Sequence, residues 1–183
     1  GEAFNTYIIA QTKKKLLFID KHAAHERILF NELKKRGADS SSQLLLRPVT
    51  VTLSRGEYIA VTDNLELFKD AGYCVEDFGE GCIVVRECPI DLSETDIADI
   101  VTELAGQLMG GTKTMMPEKL DWLYHSTACR AAIKAGNDIS PPEQRELVRR
   151  VLSDDDVRFC PHGRPVIIEM SEYELEKQFG RIQ

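Results

Sequence analysis

The sequence predicts a mixed α/β fold of the α+β class. Hydrophobic residues make up 43% and charged residues 29% of the 183 residues, a balance typical of globular proteins. Short runs rich in β-branched and aromatic residues predict strands, and serines that precede glutamates by three residues predict helix starts. The chain is long enough for one ordinary domain or two small ones.

The first part of the chain predicts a hairpin, a helix and a further apolar segment. Residues 4–10 and 16–20 suit two strands separated by a lysine-rich turn. Residues 22–36 have helical periodicity, and Gly37 stands where that helix should end. A small polar loop then leads to the apolar segment 44–53.

The remaining elements are predicted from caps, glycines and periodicity. In the middle of the chain, a helix started by Ser54 should cover 54–71, a hairpin 73–88 and a helix 97–109, which together suggest a small α/β module. Near the end, the predicted elements are helices at 117–135, from Ser140 to about 152 and from Ser171 to about 179, and a strand at 165–170.

The charge balance limits what the chain can do by itself. Lys and Arg number 23 against 30 Asp and Glu, and the net charge of −7 excludes DNA binding driven by a globally positive field. The sequence has no membrane-length apolar stretch and no secretory pattern, so we expect a soluble, cytoplasmic protein with reduced cysteines. An apolar segment almost at the first residue is typical of a piece of a longer protein.

Two polar clusters can carry chemistry. In a helix, His22 and Glu26 are four residues apart and share a face, and Asp20, just before the first turn, can fold over the same spot. The second cluster is Cys160-Pro161-His162-Gly163, where residues two apart in an extended segment point to the same side. Zinc favours such a mixture of sulfur, nitrogen and oxygen donors. United, the clusters would surround one zinc, with Asp20 nearby to hold a second ion or to orient a ligand.

Each of these residues also has an ordinary structural interpretation. Asp20 can be a helix cap, and His22 and Glu26 can form a surface hydrogen bond. Cys160 can be a small buried hydrophobe and His162 a loop residue. Their joint occurrence favours the metal site.

The first cluster resembles the metal-binding endonuclease motif of the C-terminal domain of MutL-type DNA mismatch-repair proteins. The match is Asp20-x-His22-Ala23-x-x-Glu26. Three further segments resemble the family's other motifs in the family's order: Ala128-Cys129-Arg130, Cys160-Pro161-His162-Gly163-Arg164-Pro165 and Phe179-Gly180-Arg181. Two positions depart from the pattern, because Lys21 replaces the usual Gln and Asn31 stands where the family has a second Glu.

The resemblance implies a metal-dependent endonuclease that nicks duplex DNA by hydrolysing a phosphodiester bond. Asp20, His22 and Glu26 would be catalytic and, with Cys160 and His162, would hold the metals. Zn²⁺, structural or regulatory, would bind Cys160 and His162, while Mn²⁺ would serve catalysis at Asp20 and His22, with Glu26 shared between the two ions.

The resemblance also implies a division of the chain and a set of partners. Residues 1–48 with 117–183 would form a dimerisation and metal-site subdomain, interrupted by an external regulatory subdomain at 49–116. The expected partners are a second copy of the chain, double-stranded DNA, a MutS-type mismatch-recognition protein and a sliding clamp, with no membrane and with association to the nucleoid.

Some residues near the motifs are given lesser roles. Cys129, Arg130 and Arg164 are possible supporting residues, although ion pairing explains both arginines equally well. His25 and His125 are treated as non-ligands.

Gln43-Leu44-Leu45-Leu46-Arg47-Pro48 resembles the sliding-clamp-binding peptide of bacterial members of the family. It fits a Gln-x-x-Leu-x-Pro pattern, set by Gln43, Leu46 and Pro48. The glutamine amide would anchor the segment by hydrogen bonds, and the adjacent apolar side chains would enter a hydrophobic groove. The alternative is a strand in the core.

The sequence is also compatible with a second function, which is not that of an enzyme. The chain can be a non-catalytic dimerisation and partner-recruitment module, in which a structural or regulatory zinc only holds strand and helix together. Asn31 and the acidic charge favour this alternative. A zinc hydrolase of small molecules has no further support in the sequence.

Overall fold

A computed structural model describes residues 1–37, 42–90, 92–110, 116–133 and 137–182, and within them the chain is mixed α and β, as predicted. The strands are β1 (Glu2–Ala3), β2 (Tyr7–Gln11), β3 (Lys15–Asp20), β4 (Gln43–Thr52), β5 (Cys74–Gly79), β6 (Cys82–Cys88) and β7 (Ile167–Ser171). The helices are α1 (Lys21–Arg36), α2 (Arg55–Thr62), α3 (Leu65–Asp70), α4 (Glu94–Met109), α5 (Met116–Ala131), α6 (Pro141–Ser153) and α7 (Glu172–Gln178).

The chain forms two compact units. The first joins Gly1–Leu29 to Ala132–Gln183, and the second is Phe30–Ala131. The division into family subdomains, 1–48 with 117–183 and 49–116, stays a prediction.

The first unit is built on an antiparallel sheet with the strand order β1-β2-β3-β7. Side chains alternate between the two faces of a strand, and one face carries Ile8, Leu17 and Ile19. Burying one such Ile or Leu side chain contributes about 1.5–3 kcal/mol to the free energy of folding. The buried cluster against this face consists of Ala23, Ala24, Ile28, Leu147, Val151, Val157, Cys160 and Val166.

The opposite face of the same sheet is apolar as well. The strand register aligns Ile9 with Phe18, Phe18 with Ile168, and Leu16 with Met170. Ile168 is 60% exposed, and the other four are half-buried. We call these five residues the second sheet face. Because antiparallel sheets commonly present one polar face to water, an apolar second face indicates a surface that another body covers.

The second unit contains an antiparallel sheet with the order β4-β6-β5 and the helices α2 to α5. The predicted hairpin is confirmed, and its turn, Gly79-Glu80-Gly81, has positive φ at all three residues. Glycine adopts this conformation without steric cost, which explains the two flanking glycines. The core of the unit includes Phe68, Ile83, Val85, Ile97, Ile100, Leu104 and Leu123, all fully buried.

The serines predicted as helix caps are confirmed. Ser54, Ser140 and Ser171 are the N-caps of α2, α6 and α7. Gly37 follows α1 with a φ of 55°, as expected for a glycine that ends a helix.

Several predicted boundaries are wrong. The strand predicted at 4–10 begins at Tyr7, because Phe4 and Asn5 have φ of 55° and 51° and form a turn after β1. The helix predicted at 54–71 is interrupted at Asp63 and Asn64, where the Asn64 amide donates to the Ala60 carbonyl (2.8 Å) and so competes with the helix backbone.

The other differences are smaller. The helix predicted at 97–109 begins at Glu94, the one at 117–135 ends at Ala131, and the strand at 165–170 begins at Ile167. The predicted loop at 38–41 and the last predicted helical residues, 134–135, lie outside the described residues. None of the helices in the described ranges combines the length and apolar character that a bilayer crossing requires.

Candidate metal centre

The first half of the site lies at the junction of β3 and α1. Asp20 is the last residue of β3, and its Oδ1 accepts a hydrogen bond from the Ala23 backbone N–H (2.9 Å), which satisfies a helix-start donor. Glu26 lies two residues before the core residue Ile28 and is only 2% exposed. A carboxylate so deeply buried needs a cationic or hydrogen-bonding partner.

The second half of the site is a tight turn. The Cys160 carbonyl accepts from the Gly163 N–H (2.9 Å), and the Cys160 N–H donates to the Arg164 carbonyl (2.8 Å). Gly163 has a φ of 81°. The expectation of an extended segment was therefore wrong here, because an i to i+3 hydrogen bond closes a β-turn over Pro161 and His162.

The two halves meet within the first unit. One ligand atom each from Glu26, Cys160 and His162 lie within 4.8 Å of one another, and Glu26 Oε1 is 3.4 Å from His162 Nδ1. Cys160 is 2% exposed, whereas the His162 side chain is 47% exposed. The three donors are therefore buried on one side and open to solvent on the other.

This arrangement fits a divalent zinc ion. Ligand atoms of a tetrahedral zinc are about 3.3–3.8 Å apart, given bond lengths of about 2.0–2.3 Å, so small side-chain movements would complete the shell. The thiolate, imidazole and carboxylate are all zinc ligands, and three protein ligands leave a fourth position for water or substrate. Glu26, Cys160 and His162 are the residues that would hold the ion.

Asp20 and His22 lie outside this three-residue group. His22 Nδ1 is 2.9 Å from the Ile133 carbonyl, and because a carbonyl only accepts, Nδ1 must be the donor. In the neutral ring, the lone pair is then on Nε2, the tautomer that metal-binding histidines commonly adopt. His25 Nδ1 accepts from the Ile133 N–H (3.0 Å), so two histidines of α1 bind the two backbone groups of one residue.

Two residues of the first unit, Arg27 and Lys21, make contacts beside these ligands that the sequence does not predict. Arg27 Nε donates to the Phe159 carbonyl (2.5 Å) and Nη2 to the Cys160 carbonyl (3.3 Å). Lys21 is fully buried, with Nζ 2.5 Å from both Glu2 Oε1 and the Asn137 carbonyl. No sequence signal identifies the carbonyl contacts of these side chains, since any residue can supply a carbonyl.

The possible supporting residues are divided between the two units. Arg164 follows the turn and is exposed. Cys129 and Arg130 lie on α5 in the second unit, where Arg130 donates to Ser126 Oγ (3.0 Å) and forms an ion pair with Glu103. Ion pairing, the second explanation for Arg130, is thus observed.

The segment that resembles a clamp-binding peptide is an exposed part of β4. Leu44 pairs with Glu87 and Val49 with Val85, so four residues of β4 stand opposite one residue of β6 and bulge out. Leu46 is fully exposed and Leu44 is 75% exposed. These two leucines are therefore not core residues, although the segment does belong to a strand.

Comparisons with known proteins agree with the motif resemblance. A family model described as the MutL C terminal dimerisation domain matches residues 1–139. Proteins named DNA mismatch repair protein MutL are similar over the full chain: 38% identity in Clostridium tetani strain Massachusetts, 35% in Clostridium acetobutylicum and 34% in Clostridium botulinum strain Kyoto. The chain spans 30%, 30% and 28% of those relatives respectively. The chain belongs to the MutL C-terminal dimerisation domain family.

Proposed function

We propose that this domain is a metal-dependent endonuclease that nicks one strand of duplex DNA during mismatch repair. The observation that carries the proposal is the convergence of Glu26, Cys160 and His162 from two distant segments of the chain. A thiol, an imidazole and a buried carboxylate in one place form a set of zinc ligands that leaves a fourth position for water or substrate. A divalent ion with such an open position can activate a water for phosphodiester hydrolysis.

The residues divide into two sets of donors. Cys160 and His162 would hold Zn²⁺, and Asp20 and His22 would hold Mn²⁺, which prefers oxygen and imidazole donors. Glu26 would be shared between the two ions. The cap bond of Asp20 occupies only one of about four acceptor sites on its carboxylate, so the group can still bind an ion. When bound, a divalent ion polarises a phosphoryl oxygen and lowers the pKa of a coordinated water.

A plasmid-nicking assay tests the proposal. Wild-type protein and Asp20→Asn are incubated with supercoiled plasmid and Mn²⁺, and we expect nicking by the wild type only. Asp99→Asn is the matched control, because Asp99 is exposed on α4 and has no side-chain partner among the described residues. Equal nicking by wild type and Asp20→Asn would remove the endonuclease proposal.

The alternative is a non-catalytic dimerisation and recruitment module with a structural or regulatory zinc. Asn31, in place of the second glutamate of the family motif, favours it. Both functions place zinc on Cys160, so the nicking assay separates them: zinc that is lost in Cys160→Ala, combined with the absence of Asp20-dependent nicking, would support the alternative.

We also propose that β4 binds a sliding clamp. The support is the bulge at residues 45–48, which exposes Leu46 beside Gln43 and Pro48. Purified clamp should be retained by the immobilised wild-type protein and should not be retained by Leu46→Asp. The control is Ile59→Asp, at another exposed apolar residue of the same unit, which should still retain the clamp. Retention by Leu46→Asp would argue against this binding site.

The remaining partners concern the whole repair protein. Double-stranded DNA would be the substrate, and a MutS-type protein would recruit the domain to a mismatch.

We propose a homodimer that forms through the second sheet face, since this face is apolar and Ile168 on it is largely exposed.

A further inference from the structure

We propose that Arg27 is a positioning residue of the metal centre. Its guanidinium holds the turn that carries Cys160 and His162 against the helix that carries Glu26. This inference rests on the metal site of the proposed function.

The contacts of Arg27 reach the backbone of the ligand turn. Nε donates to the carbonyl of Phe159 and Nη2 to the carbonyl of Cys160, which is itself a ligand residue. A guanidinium presents its donors in a planar, rigid fork, so two consecutive carbonyls are fixed by one group. Arg27 follows Glu26 directly in α1, so the carboxylate and the turn are tied at the same point of the helix.

These bonds do something that the bonds within the turn do not. The hydrogen bonds of Cys160 to Gly163 and Arg164 give the turn its shape, but both partners lie in the turn itself. The bonds from Arg27 connect the turn to α1, more than a hundred residues earlier in the chain. Because they involve backbone carbonyls, they do not depend on a metal drawing the side chains together.

The expected consequence is preorganisation of the three donors. With Arg27 in place, the ligand atoms of Glu26, Cys160 and His162 lie within 4.8 Å before any ion binds. Without it, binding would have to order the turn as well. Loss of an outer contact of this kind typically lowers metal affinity about 10–100-fold.

Metal titrations of the chain with Co²⁺ and Zn²⁺ test the inference. The thiolate-to-cobalt absorption band reports ligation by Cys160, and a chromophoric chelator in competition gives the zinc Kd. We expect Arg27→Met to weaken zinc binding about 10–100-fold. Arg27→Lys should fall in between, because one ammonium cannot reproduce the two-carbonyl fork. Arg36→Met, at an exposed arginine in the last turn of α1, should match the wild type.

The melting temperature of each metal-free variant separates positioning from general stability. A purely structural arginine would lower the melting temperature of the metal-free protein and leave the zinc Kd of the folded protein unchanged, and that result would overturn the inference. If Arg27→Met does not fold, a wild-type Kd in Arg27→Lys would overturn it equally. A wild type whose cobalt band is no stronger than that of Cys160→Ala would overturn both the metal site and the role of Arg27.

Discussion

Lys21 is completely buried although it carries a charged group. Its ammonium lies 2.5 Å from Glu2 Oε1 and donates to the Asn137 carbonyl, and Glu2 Oε2 accepts from Gln144 Nε2 (2.7 Å). This network joins β1, α1 and α6 beside the residues proposed as metal ligands. Because a buried ammonium needs a counter-charge, Lys21 requires Glu2.

Removing the ammonium should destabilise the first unit strongly. We expect Lys21→Met to lower the free energy of unfolding by about 3–5 kcal/mol, because Glu2 loses its counter-charge in a partly buried place. Urea unfolding measures the change. Lys35→Met, at an exposed lysine of the same helix, is the control, and a loss no greater than that of the control would contradict the prediction.

The pair Tyr73 and Thr127 gives a second prediction at this scale. The Thr127 hydroxyl donates to the Leu123 carbonyl (2.7 Å), so in its 2.7 Å contact with Tyr73 it accepts the phenolic proton. Burial raises the pKa of Tyr73 far above its usual value, so the phenol stays protonated and donates at physiological pH. Thr127→Val leaves this buried donor without its acceptor and should cost about 1–3 kcal/mol.

A double-mutant cycle checks this interpretation by thermal unfolding. Tyr73→Phe alone removes the donor, and the Thr127→Val, Tyr73→Phe double variant should recover part of the loss. Strict additivity of the two single losses would show that the hydroxyls do not interact.

At the scale of elements, the helix starts are set by short-range hydrogen bonds. In α6, the N–H and hydroxyl of Ser140 both donate to the Glu143 carboxylate (2.7 and 2.6 Å). These bonds, first from the Ser140 side chain and then from its backbone, lower the pKa of Glu143 below its usual 4.5. Protonation therefore favours the unfolded chain, and the contribution of this cap is complete above about pH 4.5 and is lost as the pH falls through the lowered pKa.

This sign leads to a pH prediction. Between pH 5 and pH 3, the melting temperature of Glu143→Gln should fall less than that of the wild type, because a glutamine does not titrate. Glu80→Gln, at an exposed carboxylate of the β5–β6 turn, should follow the wild-type curve. Parallel curves for wild type and Glu143→Gln would rule out a contribution of this cap to the acid sensitivity.

The same local character explains which elements the sequence could predict. Serine caps and glycine stops act within four residues, so Ser54, Ser140, Ser171 and Gly37 were visible in the sequence. The break in the helix at Asn64 could not be predicted, because an asparagine side chain can bond either to solvent or to a backbone group of the helix. The bulge of β4 could not be predicted either, because it depends on how β4 is aligned with β6.

At the scale of the whole molecule, self-association is the first test. We expect Ile168→Glu to convert a dimer into a monomer in sedimentation equilibrium, because a charge would be buried on the second sheet face. The fold should survive, since Ile168 is largely exposed within the chain. Ile59→Glu, in the second unit, should remain dimeric, and a dimer of Ile168→Glu with wild-type affinity would exclude this face.

The candidate site could be predicted from the sequence only in part. His22 and Glu26, or Cys160 and His162, are near neighbours in the chain, so each pair was recognisable as a cluster. The meeting of Glu26 with Cys160 depends on how β7 returns to β3, a long-range pairing that no local pattern encodes. The order of motifs, which resembles that of a known family, predicted that the two clusters meet. It did not predict the hydrogen bonds from Arg27 to backbone carbonyls.

The first unit is assembled from both ends of the chain, whereas the second is continuous in sequence. During synthesis, residues 30–131 are therefore made before β7, the strand that pairs with β3. At about 5–20 residues per second, the interval between the synthesis of β3 and that of β7 lasts about 7–30 seconds. During this interval, the apolar β2–β3 hairpin has an unpaired edge on β3, because β7 has not been made. Such an edge can pair with other chains, so this is the stage at which a chaperone would be needed most.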